Sequence, residues 1–109
     1  MSVRLSILQV YLKEDPFDEF IKYALALEYK SLGRNTEAYE ELKSLIEISP
    51  DYLASYYMAG KSAEELNLYE EAIKWYELGH QKAIEQNNVR TAEELKSALN
   101  MLRDEMSEG

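Results

Sequence analysis

Of the side chains that do acid–base or metal chemistry, the 109-residue sequence holds one imidazole, His80, and no thiol. His80 lies near the middle of a helical stretch, with Tyr76 and Ile84 one turn to either side. A general base there needs an orienting acid and a substrate pocket. A metal ligand needs companions three or four residues away besides Glu77. Neither set is evident, so His80 is expected to be structural or solvent-facing. The acidic pairs Glu40-Glu41, Glu64-Glu65, Glu70-Glu71 and Glu93-Glu94 have the residue type of a carboxylate dyad but the wrong spacing. Adjacent residues on a helix diverge by ~100° and do not share a proton, and Glu70 with Lys74 reads instead as a surface ion pair one turn apart. No glycine-rich phosphate loop, Gly-x-Ser-x-Gly or His-Glu-x-x-His arrangement occurs. The expectation is a protein that is not an enzyme and has no catalytic residue, metal site or cofactor. What remains unusual is the count of nine tyrosines.

The overall charge narrows the partners. Twelve basic against twenty-one acidic residues give a formal charge of −9, which repels phosphate backbones and anionic headgroups over most of the surface. Nucleic-acid and membrane partners are therefore not expected. Apolar runs such as Ala24-Leu25-Ala26-Leu27 fall far short of the ~20 residues that cross a bilayer. The N-terminal stretch from Arg4 to Leu12 is interrupted by Ser6 and Gln9 and lacks a small-residue cleavage site, so it reads as a short helix rather than a signal. With no cysteine, the cytoplasm is the expected location. Met1 and a polar last helix favour a complete chain over an excised domain.

The elements that would position any contact surface are all helical. Apolar residues recur at three- and four-residue steps, with no sustained alternation. A first helix is expected over 3–13. Asp15-Pro16 then supplies a cap with proline at the first helical position of a helix from Phe17 to Leu32. Gly33 ends that helix in a left-handed turn, and a third runs from Asn35 to Ile48. Ser49-Pro50-Asp51 separates it from a fourth at 52–66, and Asn67 leads into a fifth at 69–86. Asn87-Asn88 precedes a last helix at 90–106. That helix opens on a Thr91…Glu94 capping box and carries the stripe Ala92, Leu95, Leu99, Leu102 and Met106. Ser107, Glu108 and Gly109 are expected to fray.

The chain also matches itself at an offset of 34: Pro16 with Pro50, Tyr23 with Tyr57, Ala26 with Gly60, Ala38 with Ala72, and Leu42 with Tyr76. Small residues at Ala26/Gly60 and Ala38/Ala72 allow two antiparallel helices to approach, and Leu25, Tyr29, Leu32, Leu42, Leu45 and Ile46 fill around the first hairpin. Leu5 and Leu8 align with the second helix of each unit. The pattern resembles the tetratricopeptide repeat, W-x2-L-G-x2-Y, then A-x3-F, then P. Its slots hold Lys22, Leu25, Ala26, Tyr29, Ala38, Leu42 and Pro50 in the first unit. In the second they hold Tyr56, Ala59, Gly60, Ala63, Ala72 and Tyr76, with Ile84 replacing the proline, so the fifth helix is free to run on by a turn.

The resemblance implies an all-α single domain over 1–109: a short right-handed α-solenoid with a leading half-repeat at 3–13, repeats at 17–50 and 51–86, and a capping helix at 90–106. It also implies a concave groove lined by the first helix of each hairpin. There the matching positions are Phe20, Tyr23, Leu27 and Lys30, then Tyr57 and Lys61, with Glu64 on the same open face. Relatives that grip acidic C-termini use Lys and Asn in that groove. Tyr23, Leu27 and Met58 stand here instead, which disfavours such a clamp. The implied function is an interaction module for a peptide or helix of a protein partner. The alternative is a homodimer formed through the same face.

Overall fold

A computed structural model of the chain describes residues 2–108, which form six helices and no strand. They are α1 (Val3–Glu14), α2 (Glu19–Ser31), α3 (Asn35–Ile48), α4 (Ala54–Glu65), α5 (Tyr69–Glu85) and α6 (Val89–Glu108). The architecture is all-α and like that of the tetratricopeptide repeat. Two compact units follow the chain, one ending at Ser55 and the other beginning at Tyr56.

Three helix ends share one device. Gly33, Asn67 and Asn87 adopt left-handed φ values of 75°, 62° and 58°. Just beyond each, a backbone N–H reaches back into the last turn: Arg34 to the Tyr29 carbonyl at 2.8 Å, Leu68 to Ala63 at 2.8 Å, and Asn88 to Ala83 at 2.9 Å. These bonds satisfy carbonyls that the helix end leaves open. Glycine and asparagine are the residues that tolerate this conformation.

The starts correct the expectation at two places. Asp18, not Asp15, caps α2, accepting the Ile21 N–H at 3.0 Å, and Pro16-Phe17 remain in the preceding turn. Asn88, not Thr91, caps α6: its Oδ1 accepts the Thr91 N–H at 3.1 Å, while Glu94 pairs with Arg90 at 3.3 Å rather than closing a capping box. In both, the acceptor stands three residues before the N–H it receives, and the cap nearest the first committed turn wins. At the chain end, Ser107 and Glu108 belong to α6 instead of fraying, and Gly109 lies outside the described residues.

In the first unit α1 packs on α2 and α2 on α3. Leu5, Leu25, Tyr29 and Ala38 form one buried cluster, with Leu8 and Leu12 against it. Polar ties fasten the first two helices. Ser2 caps α1 at the Leu5 N–H and donates its hydroxyl to Glu28, Arg4 pairs with Glu28 at 3.4 Å, and Gln9 donates to the Tyr29 hydroxyl at 3.2 Å. Leu32, expected among the core residues, is 43% exposed because it is the C-cap of α2, where the chain turns away. Lys22, in the slot where the repeat favours an aromatic, is buried and pairs with Glu41 at 3.3 Å.

In the second unit α5 packs on α6, and Tyr56, Tyr76, Leu95 and Leu102 are fully buried. Two glycines make room for the rings. A Cβ on Gly60 would fall 2.2 Å from the Tyr76 ring, and one on Gly79 would fall 2.5 Å from the Tyr56 Cβ. Met106 is exposed, so the buried stripe of α6 ends at Leu102. Ala98 joins that stripe instead.

Candidate functional site

The predicted contact residues fall in the two units separately. In the first, Phe20, Tyr23, Leu27 and Lys30 lie along α2 at helical spacing, away from the stripe of Leu25 and Tyr29 that faces the core. Phe20 is 69% exposed, Leu27 is exposed, Tyr23 is half-buried, and Lys30 is half-buried and engaged. Tyr52, in the turn before α4, stands edge-on to both aromatic rings, 5.9 Å from Phe20 and 5.7 Å from Tyr23. Such edge-to-face pairs hold rings in place while leaving part of each surface open. Burial raises the Tyr23 phenol, and the Tyr52 phenol adds to the effect; burial raises Tyr52 as well, with the Glu19 carboxylate contributing. The result is an aromatic patch that stays uncharged at neutral pH. Tyr52, expected as the first residue of the fourth helix, lies instead in the turn before α4, and sequence reasoning did not name it among the contact residues; the signal available was an aromatic two residues after Pro50.

In the second unit Tyr57 and Lys61 sit one turn apart on α4, both half-buried. The Lys61 ammonium lies 5.5 Å from the centre of the Tyr57 ring. They line a depression whose opposite wall is α6, with Arg90, Glu94, Ser97 and Met101. These α6 residues share the depression with Tyr57 and Lys61, and sequence reasoning did not name them. Their one-turn steps along the exposed side of the last helix were the available signal.

Glu64 differs from the expectation of an open position. Its carboxylate accepts the hydroxyl proton of the fully buried Tyr76. Burial and that hydrogen bond together hold the Tyr76 phenol far above its ordinary value. Glu64 thus satisfies a core phenol and is not a free groove acid. Its replacement by leucine, harmless on an open face, leaves a buried hydroxyl unpaired at about 1–3 kcal/mol.

Among the described residues no group of three or more His, Asp or Glu side chains is placed to hold a metal. His80 is half-buried on α5. No helix in the described residues is long and apolar enough to cross a membrane.

Helical hairpins recurring at a fixed chain interval, with small residues at the crossings, define a helical-repeat protein. The tetratricopeptide repeat family model matches residues 21–52 and 53–79, and the chain belongs to that family. A tetratricopeptide repeat domain protein from Salinibacter ruber, solved in solution, is 34% identical with a TM-score of 0.77 over 81% of this chain and 89% of that one. The TPR2B domain of yeast Sti1, in a structure of its complex with pHsp70, shares the fold at 19% identity, with a TM-score of 0.85 over 93% of this chain and 81% of that one. A protein from Bordetella parapertussis also shares it, at 19% identity and a TM-score of 0.82, over 96% of this chain and 91% of that one. No curated protein matches the sequence.

Proposed function

We propose that this chain is a non-catalytic protein-interaction module that binds a peptide or helix of a protein partner along the groove-facing side of its hairpins' first helices. Phe20, Tyr23, Leu27 and Lys30 supply the contacts on one unit, and Tyr57 and Lys61 supply them on the other. The observation that carries the reading is the exposed Phe20 ring, held edge-on by Tyr52 beside Tyr23 and Leu27. A large apolar side chain left on the surface and fixed in position is what a contact anchor requires. Family membership supports the same reading, as does the Sti1 domain's complex with pHsp70. The partner segment suited to these residues is apolar or aromatic, flanked by an acidic group for Lys30 or Lys61.

Selection of peptides from a displayed library tests this, followed by NMR mapping of the selected ligand on the labelled chain. Shifts should concentrate at Phe20, Tyr23, Leu27, Tyr57 and Lys61, and Tyr23→Glu with Tyr57→Glu should weaken binding at least tenfold. Ligands that map elsewhere, or that bind the double variant as well as the wild type, refute it.

A further inference from the structure

Helix α1 is apolar on two sides. Leu5, Leu8 and Leu12 face the first unit's core, yet Val3, Ile7, Val10 and Tyr11 line the opposite side at 75%, 46%, 54% and 50% exposure. The second set is spaced three, four and seven residues apart, so it forms one continuous stripe. A helix apolar all round is a buried helix, and this one is covered on a single side.

The charges say what covers the other. Residues 1–13 contain Arg4 and Lys13 and no carboxylate, in a chain of net charge −9. A second copy can approach here without setting acid against acid, as it would over most of the surface. The two ends of the helix are also complementary. Arg4, 72% exposed and touching one carboxylate, Glu28, stands at the first turn, and Glu14 and Asp15 stand at the last. Its guanidinium has donors left for a second carboxylate.

We infer that α1 is a self-association surface, on which the Val3-Ile7-Val10-Tyr11 stripe pairs antiparallel with the same stripe of a second copy. Antiparallel pairing is isologous and closes at two copies. It places each Arg4 near the other copy's Glu14 and Asp15, and it opposes the helix dipoles. The stripe lies on α1, a different helix from the one that carries Phe20, Tyr23 and Leu27 in the same unit. A twelve-residue helix is about 18 Å long and covers much less than the ~800 Å² per partner of a standard interface. The dimer is therefore weak, with a dissociation constant on the order of 10⁻⁴ M.

Sedimentation equilibrium of the full chain from about 10 µM to 1 mM should show a monomer–dimer equilibrium of that strength. Ile7→Glu and Val10→Glu, both at exposed positions, should raise the dissociation constant at least tenfold with an unchanged circular dichroism spectrum. Arg4→Glu should weaken the dimer several-fold, and Glu14→Lys in the same chain should restore it, which a parallel arrangement would not allow. A mixture of labelled and unlabelled wild type gives a readout that needs no variant: contacts between Ile7 of one copy and Val10 or Tyr11 of the other. A chain that stays monomeric at 1 mM overturns the inference. So does a dimer indifferent to Ile7→Glu and broken instead by Tyr23→Glu, which would place self-association on the groove face.

Discussion

At positions 26 and 42 the first hairpin pairs alanine with leucine; 34 residues on, the second pairs Gly60 with Tyr76. A second exchange runs the same way. Lys22 and Leu45 correspond to Tyr56 and Gly79, and Glu41, the partner of Lys22, corresponds to Trp75. The second hairpin concentrates volume in two rings and removes the Cβ atoms beneath them. The first spreads volume over aliphatic side chains and spends one slot on a buried ion pair. One backbone pattern thus tolerates either filling, and Ala26 with Leu42 fills about the same volume as Gly60 with Tyr76. It follows that residues at these slots are exchangeable as pairs and costly to exchange alone.

The largest effect should come from breaking one such pair. Gly60→Ala puts a methyl 2.2 Å from the Tyr76 ring, and we expect a loss of about 3 kcal/mol in denaturant unfolding. Adding Tyr76→Leu imports the first hairpin's combination and should recover most of it. Ala26→Gly in the first hairpin should cost only about 1 kcal/mol, the helix-propensity difference plus a small void. Equal losses from Gly60→Ala and Ala26→Gly would end the pairwise account.

Next comes the ion pair that only the first hairpin has. Glu41→Leu leaves the Lys22 ammonium buried without its carboxylate and should cost about 2–3 kcal/mol. The double variant Lys22→Met with Glu41→Leu should return close to wild type, because its slots are then apolar as at Tyr56 and Trp75. A double variant less stable than Glu41→Leu alone would mean that the charges hold the hairpin in register.

The hairpins also differ in how much could be read from residue order. The 34-residue offset exposed the small residues at the helix crossings, since Ala26 and Gly60 can face only a close neighbour. Leu45 with Gly79 escaped notice because one member is large, and its meaning lies in the Lys22/Tyr56 slot opposite. The Tyr76 hydrogen bond was illegible for a similar reason. Glu64 sits on a helix face that periodicity marks as solvent, and only the depth of the crossing brings a phenol from α5 to it. The caps at Asp18 and Asn88 were ambiguous locally because Asp15 and Thr91 are equally good cap residues. Which one serves is decided by where the helix packs. Of the proposed contact residues, Phe20 and Tyr23 followed from spacing, whereas Tyr52 in the first unit and the α6 wall of the depression in the second depend on how turns fold back.

Tyr76 makes the comparison sensitive to pH. Its phenol is raised above the ordinary value of 10.0, first by burial and then by its bond to Glu64, so the folded chain keeps a proton that the unfolded chain releases near pH 10. That contribution is fully present below about pH 10 and is lost progressively as pH rises beyond it. Tyr76→Phe should flatten the alkaline limb of stability against pH. Burial raises Tyr23 and Tyr52 too, so the first unit should keep an alkaline dependence of its own in that variant. An unchanged limb in Tyr76→Phe would show that the Tyr76 phenol contributes nothing to it.

The smallest effect concerns a slot that one hairpin uses and the other leaves idle. Glu28 receives Arg4 and the Ser2 hydroxyl, tying α1 to α2. Its counterpart 34 residues on is Ser62, whose hydroxyl is buried with no hydrogen-bond partner among the described residues. A buried, unpaired hydroxyl costs stability, and alanine is the better helix former by about 0.5 kcal/mol. Ser62→Ala should therefore raise stability by up to about 1 kcal/mol, read as a melting temperature a few degrees higher. Glu28→Ala, at the equivalent slot, should lower it by detaching α1. A Ser62→Ala chain less stable than wild type would show that the hydroxyl holds an ordered water, and that this slot is used in both hairpins after all.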